Sequence, residues 1–279
     1  MAHKLQSIDR RIIYLILVVV LALPFIFPIR LPIEVSKPTQ DAYKTIDQLK
    51  DGDVVVMCLV YTPNTSAEAH PMSEALLTHI LSKKGVKIIM ATFTETGPIF
   101  SRQLWDKFGK NLKYGEDFVD LGFAPGGETA VSGFANDIHK VFPVDVRGTP
   151  VGQLPLMQKV KSAKDITLLV GSETGNPGTP EFIRQIQGQH KTPIVAGWSG
   201  QYVPVYTPYY NAGQVKGFLN GLRGAAEYEI LLGKPGEGIG GLGSVTAAMT
   251  MVAILIVIAN VTYQIDKKGK AQAKEANQA

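Results

Sequence analysis

The sequence predicts an α/β protein: a doubly wound, mainly parallel sheet flanked by N- and C-terminal transmembrane helices. Three observations predict it. Short, almost wholly apolar runs alternate with helix-like segments through the middle of the chain. Two uncharged apolar stretches lie near the ends, Ile12–Ile29 and Val245–Thr262. A basic cluster flanks each stretch on the side away from the middle.

The first element is a basic N-terminus, residues 1–11, with Lys4, Arg10 and Arg11. The span 12–29 follows; its length approaches the ~20 apolar residues a helix needs to cross hydrocarbon. A cleaved signal peptide is the alternative reading. The apolar region is longer than such a peptide uses, and no clean small-x-small cleavage site follows it. A linker is expected over 30–41 and a soluble domain over 42–232. A Gly-rich linker is expected over 233–244, the second span over 245–263, and a basic tail over 264–279 with Lys267, Lys268, Lys270 and Lys274.

The charge supports this order. The formal net charge is +4, and all of it sits in the two tails. Residues 12–263 are net neutral, so electrostatic attraction to nucleic acid is not expected. Basic flanks remain cytoplasmic, and a long domain translocates largely regardless of its own charge. The expected topology is an integral protein of a bacterial- or archaeal-type cytoplasmic membrane. Both termini are inside and the main domain is extracytoplasmic.

Strand-length runs are Asp53–Val60, Val86–Phe93, Asp117–Phe123, Ile166–Val170 and Pro193–Trp198. Helix-like segments separate them: Ser66–Lys84, Pro98–Lys113, Thr129–Phe142, Pro155–Ala163 and Thr179–Gln189, with Ala212–Leu232 last. Near-continuous apolar strands alternating with helices imply a parallel sheet covered on both faces, of the Rossmann-like or flavodoxin-like kind. Helix starts carry local signals. Ser66 is a candidate cap, with Pro71 arguing for a later start. Gly97-Pro98 and Thr179-Pro180 place Pro in the first turn, where its missing N–H costs nothing. Cys58 is the one cysteine. It lies in an apolar strand and reads as a buried, inert thiol. Asn64-Thr65-Ser66 matches a glycosylation sequon, relevant only in a host that glycosylates exported proteins.

Ligands of such sheets bind outside the carboxyl ends of the strands. The candidate crevice residues there are Thr62, Asn64, Thr94, Gly126, Gly127, Glu128, Ser172, Glu173 and Ser199. Gly and Ser/Thr are also what ordinary turns and caps require, so both readings stand. GxxxxGK[ST], GxSxG and HExxH motifs do not occur, and no GxGxxG follows the first strand, which argues against a P-loop, a hydrolase elbow, a zincin and a dinucleotide fold. No cofactor and no metal site are expected. Were the chain an enzyme, such as a hydrolase of an envelope substrate, Ser172, Glu173, His70 and Glu95 are the residues to test first. A solvated His70 and helix-start carboxylates are the plain alternative.

Gly213, Gly217, Gly221 and Ala225 recur every four residues within Ala212–Leu232. On one helix they form a smooth stripe, suited to close approach of its own sheet or of another chain. Gly240, Ser244 and Ala248 repeat that spacing beside the second span, the small-xxx-small pattern of membrane helix contacts. The sequence therefore points to a membrane-anchored binding or assembly subunit of a larger membrane complex. Its expected partners are the lipid bilayer and other membrane subunits or a second copy. An envelope hydrolase or small-molecule sensor is the alternative.

Overall fold

The computed structural model of the chain describes residues 9–27 and 32–276. It divides into two units, Pro32–Gly238 and the pair Met1–Leu31 with Ile239–Ala279.

In the first unit the apolar runs become six parallel strands: β1 (Val54–Val60), β2 (Lys87–Thr92), β3 (Phe118–Phe123), β4 (Leu168–Glu173), β5 (Ile194–Trp198) and β6 (Gly217–Asn220). Their order is β3-β2-β1-β4-β5-β6, and each neighbouring pair is parallel. Along β1 every residue is buried, because the pleat sends alternate side chains into two separate cores. Val54, Val56, Cys58 and Val60 enter one core, while Val55, Met57 and Leu59 enter the other.

Counting helices along the chain, α1 is Arg10–Ile26, α2 Lys37–Asp47, α3 Ser66–Ser82 and α4 Gly97–Phe108. Short helices α5 (Glu128–Asn136), α6 (Ile138–Val141) and α7 (Pro155–Lys159) follow. After β4 come α8 (Thr179–Phe182), a π turn (Ile183–Gln187) and α9 (Gly188–His190). The last are α10 (Val203–Asn211), α11 (Gly221–Leu232) and α12 (Glu237–Ala276). Residues of α2, α3, α4 and α11 form one core with the sheet, and those of α5 to α8 and α10 the other.

Several expectations need correction. The linker 30–41 is not a linker throughout, since α2 begins at Lys37. Ser36 stands at its N-cap position and Pro38 in its first turn. The buried Glu227 carboxylate holds that end, accepting from Ser36 N (3.0 Å), Ser36 Oγ (2.6 Å) and Thr39 Oγ1 (2.9 Å). Helix α3 starts at Ser66 and keeps Pro71 inside it. Between β5 and β6, Val203–Asn211 forms α10, with Pro204 in its first turn.

The helix Ala212–Leu232 does not exist as one element. Gly213 lies in a turn with φ +73°, Gly217 opens β6, and α11 begins only at Gly221. The stripe is therefore not one helix face. Close approach is nonetheless why Gly217 is glycine. A Cβ there would lie 2.1 Å from Ala42 N, on the backbone of α2. The spacing of four imitates a helix period although a turn, a strand and a helix share it.

The expected linker 233–244 is corrected too, because α12 begins at Glu237. The Glu229 carboxylate accepts from Gly236 N (2.9 Å) and Gly238 N (2.7 Å), N–H groups at a helix start that have no carbonyl within the helix. The glycines are tolerated because the backbones meet. A Cβ on Gly238 would stand 2.7 Å from Ala226 N.

In the second unit, α12 includes a segment, Glu237–Lys267, long and apolar enough to cross a membrane, and it is the one such helix among the described residues. Two flanking spans are thus not both present by this measure. Helix α1 has 17 residues, about 26 Å, and the end of the expected span at Pro28 and Ile29 lies outside the described residues. Within this unit α1 and α12 touch. Ser244 Oγ donates to Leu21 O at 2.8 Å, beside the Val20 carbonyl that Pro24 cannot bond. A Cβ on Gly240 would lie 3.0 Å from Phe25 Cδ1, and one on Gly243 would lie 3.1 Å from Pro24 Cβ. Gly240, Gly243 and Ser244 line this contact, and Ala248 is half-buried.

Candidate functional site

The strand order places a topological switch point between β1 and β4. Helix α3 leaves β1 over one face, and α8 leaves β4 over the other. In open parallel sheets the loops after such a pair of strands separate and leave a crevice where ligands bind. Here the loops join directly, through Thr65 Oγ1 and Thr174 Oγ1 at 2.7 Å. Thr62 supports the same turn, donating from Oγ1 to Asn64 Oδ1 (2.8 Å) and from its N–H to Thr65 Oγ1 (3.2 Å). Asn64 is exposed.

Ser172 and Glu173 are not loop residues. They end β4, where both are buried, and the pleat turns them to opposite faces. Ser172 Oγ is enclosed without a hydrogen-bond partner. Glu173 accepts from Thr179 N (2.5 Å) and Thr179 Oγ1 (2.9 Å), and Trp198 Nε1 donates to the same hydroxyl at 2.8 Å. Burial pushes the Glu173 carboxyl up to about 8. That outweighs the two hydrogen bonds, which favour the charged form.

The other candidates scatter. Thr94 Oγ1 is buried without a partner, and Glu95 is exposed. Gly126 and Gly127, at φ +118° and +56°, turn the chain into α5. Glu128 is bound by Arg184 Nε (2.8 Å), Arg184 Nη2 (2.9 Å) and Gln185 Nε2 (2.9 Å), and the guanidinium holds its carboxyl down to about 2. The Ser199 N–H donates to Glu173 O, one strand across. The four residues named for enzyme chemistry therefore do not converge on one point.

His70 sits elsewhere than at a solvated helix start. Its Nδ1 lies 2.9 Å from the buried Tyr61 hydroxyl, and its Nε2 lies 3.6 Å from Glu74 Oε1. Lys107 Nζ holds both Glu74 oxygens at 2.6 and 2.7 Å and stands 3.6 Å from Glu237 Oε1. Glu74 is one of the two carboxylates, with Glu68, that the sequence offers as a partner for His70; Tyr61 and Lys107 join the pair only through the fold. His70, Ser73 and Glu74 share α3, whereas Tyr61 and Lys107 come from other elements. Thr65 and Thr174 meet only through the fold, and Glu68 accepts from Gly200 N at 2.7 Å rather than facing His70.

A separate groove of about 650 Å³ lies at the amino ends of β1 and β2, lined by Val54, Lys87, Glu116, Leu156, Lys159 and Asp165 among others. Among the described residues no group of three or more His, Cys, Asp or Glu side chains is placed to hold a metal ion. Cys58 is buried, and burial pushes its thiol upward in pKa.

The fold defines a parallel α/β domain joined to a membrane-length apolar helix. Comparison with protein families finds no matching family model, and comparisons with curated proteins and with solved structures find no significant match.

Proposed function

We propose that the chain is a membrane-anchored α/β protein acting as a binding or assembly subunit of a larger membrane complex. Helices α1 and α12 form a two-helix anchor, both termini are cytoplasmic, and the sheet domain is extracytoplasmic. The observation carrying the anchor is the contact of α1 with α12. It combines a hydroxyl-to-carbonyl hydrogen bond, Ser244 to Leu21, with two glycines pressed against Phe25 and Pro24. Close backbone approach and satisfaction of every polar group are what helices in hydrocarbon need.

Action by binding rather than turnover is favoured by the placement of the candidate acid, base and nucleophile. Ser172 and Glu173 face opposite cores, and His70 is engaged by Tyr61 on one side and faces Glu74 on the other. Purification in mild detergent tests the assembly reading. The expected particle holds more than one 30.2 kDa chain, either as copies or with a stoichiometric partner. A monodisperse single chain without a partner, in detergents that preserve the fold, contradicts it.

A further inference from the structure

We infer that α12 pairs with the α12 of a second copy of this chain, through an exposed face that carries Thr246, Thr250 and Asn260, a pairing that rests on the proposed reading of α12 as a membrane span. No charged residue lies between Glu237 and Asp266, yet this stretch is not uniformly apolar. Its Ser, Thr, Asn and Gln side chains fall on two faces. At about 100° per residue, Ser244 and Thr262 stand about five turns apart on one face. Thr246, Thr250, Asn260 and Gln264 cluster around a direction about 160° away. Ser244 and Thr262 are buried, the first against α1 through Leu21 O. The other four are exposed.

The exposed face has the period of a helix seam. Thr246, Ala253 and Asn260 recur every seven residues, and Thr250, Val257 and Gln264 recur every seven beside them. That spacing keeps one face against a neighbouring helix along its length. Small side chains at Thr246 and Ala253 allow close approach. The two threonines use their donors inside their own helix: Thr246 Oγ1 donates to Leu242 O and Thr250 Oγ1 to Thr246 O, both at 2.8 Å. Asn260 is different. Its amide has two N–H donors and a carbonyl acceptor, and Nδ2 makes one hydrogen bond, to Ile256 O at 2.8 Å. Oδ1 has no partner among the described residues. Asn260 stands about 9 Å of helix before Asp266, within the expected span 245–263, where water cannot satisfy the amide.

A second copy is the partner this face fits. Copies of one chain cross a membrane in one orientation, so their α12 helices run parallel and equal positions meet at equal depth. Around a two-fold axis along the membrane normal, Asn260 faces Asn260. An amide both donates and accepts, so each Oδ1 accepts the N–H that the other leaves unused, and no different residue is needed opposite it. A single Asn on the seam of parallel helices also fixes their register and oligomer state. Between Thr246 and Gln264 the face presents no charge that would call for an oppositely charged subunit.

The experiment is brief oxidative disulfide cross-linking, in isolated membranes, of full-length variants with one introduced cysteine. Ala253→Cys and Thr246→Cys lie on the face. Val252→Cys and Val245→Cys lie at the same depths, turned by about 100°, at positions that are also exposed. The enclosed Cys58 serves as background. The first two variants should give a dimer of 30.2 kDa chains and the second two little of it. Adding Asn260→Leu to Ala253→Cys should lower the dimer yield about threefold or more, whereas Asn260→Gln, which keeps donor and acceptor, should retain most of it. Equal yields from Ala253→Cys and Val252→Cys overturn the inference, as does a yield that Asn260→Leu leaves unchanged. Protein that resists alkaline extraction from the membrane but forms no dimer through Ala253→Cys overturns the pairing alone and leaves the face to a different subunit. Protein released by that extraction overturns the anchor as well.

Discussion

Replacing Glu173 by Gln should change how stability depends on pH far more than it changes stability itself. Glu173 is fully buried at the end of β4, and burial raises its carboxyl from the ordinary 4.5 to about 8. Between those values the folded chain keeps a proton that the unfolded chain has released. Stability from this group is therefore fully present below pH 4.5 and is lost as pH rises toward 8. At about 1.4 kcal/mol per pH unit, the loss from pH 5 to pH 8 is about 4 kcal/mol. Gln resembles the protonated carboxyl in shape and keeps one oxygen to accept from Thr179 N. It cannot ionise. The assay is denaturant unfolding of the detergent-solubilised chain at pH 5, 6, 7 and 8, followed by near-UV circular dichroism. His79 acts in the opposite sense: burial lowers it to about 4, so its contribution is gained as pH rises from 4 to 6.5. Subtracting wild type from variant cancels that term. The difference should grow in the variant's favour by about 4 kcal/mol across the range. Parallel curves would refute the assignment of a buried, neutral Glu173.

Four further outcomes are expected. Gly217→Ala should destabilise by about 3 kcal/mol, because its Cβ would meet the α2 backbone at 2.1 Å. Gly213→Ala has open space but a φ of +73°, so about 1 kcal/mol is expected, and chemical denaturation of both separates crowding from backbone strain. Glu229→Gln should weaken the start of α12 by about 1 kcal/mol, read as faster amide exchange at Gly236 and Gly238. Cys58 should resist thiol reagents in the native protein and react on denaturation, since it is wholly enclosed and its pKa is raised.

Most of the sheet could be read from the sequence because parallel strands buried on both faces are apolar without alternation. Val54–Val60 is such a run, and five of the six strands carry that signature. β6 is the exception. Its four residues, Gly217-Phe218-Leu219-Asn220, sit inside a fourfold spacing of small residues that imitates a helix face. Only the overlying α2 backbone, distant in sequence, explains Gly217. Helix α10 was hidden in a similar way. Proline favours turns locally, yet in Val203-Pro204 it occupies the first helical turn, where it is well tolerated. The Gly-rich start of α12 reads as a hinge until Glu229 and the backbone of α11 are placed beside it.

The candidate site was legible by location but not by composition. The strand ends could be found, and the loops after β1 and β4 do meet. What decides their chemistry is tertiary. Ser172 and Glu173 are neighbours in sequence and opposed in space, a consequence of where β4 stops. Glu128 looks available until Arg184 is placed on it. His70 looks solvated because its partners Tyr61, Ser73 and Lys107 are brought together by three different elements.

Site-specific labelling tests the proposed two-helix anchor with the domain outside. Single cysteines at Ser7, Asn64 and Ala273 are compared in intact cells with a membrane-impermeant maleimide, against the enclosed Cys58 as background. Labelling is expected at Asn64 alone, with Ser7 and Ala273 reacting only after permeabilisation. Labelling of one terminus but not the other in intact cells, or protection of Asn64, would contradict it.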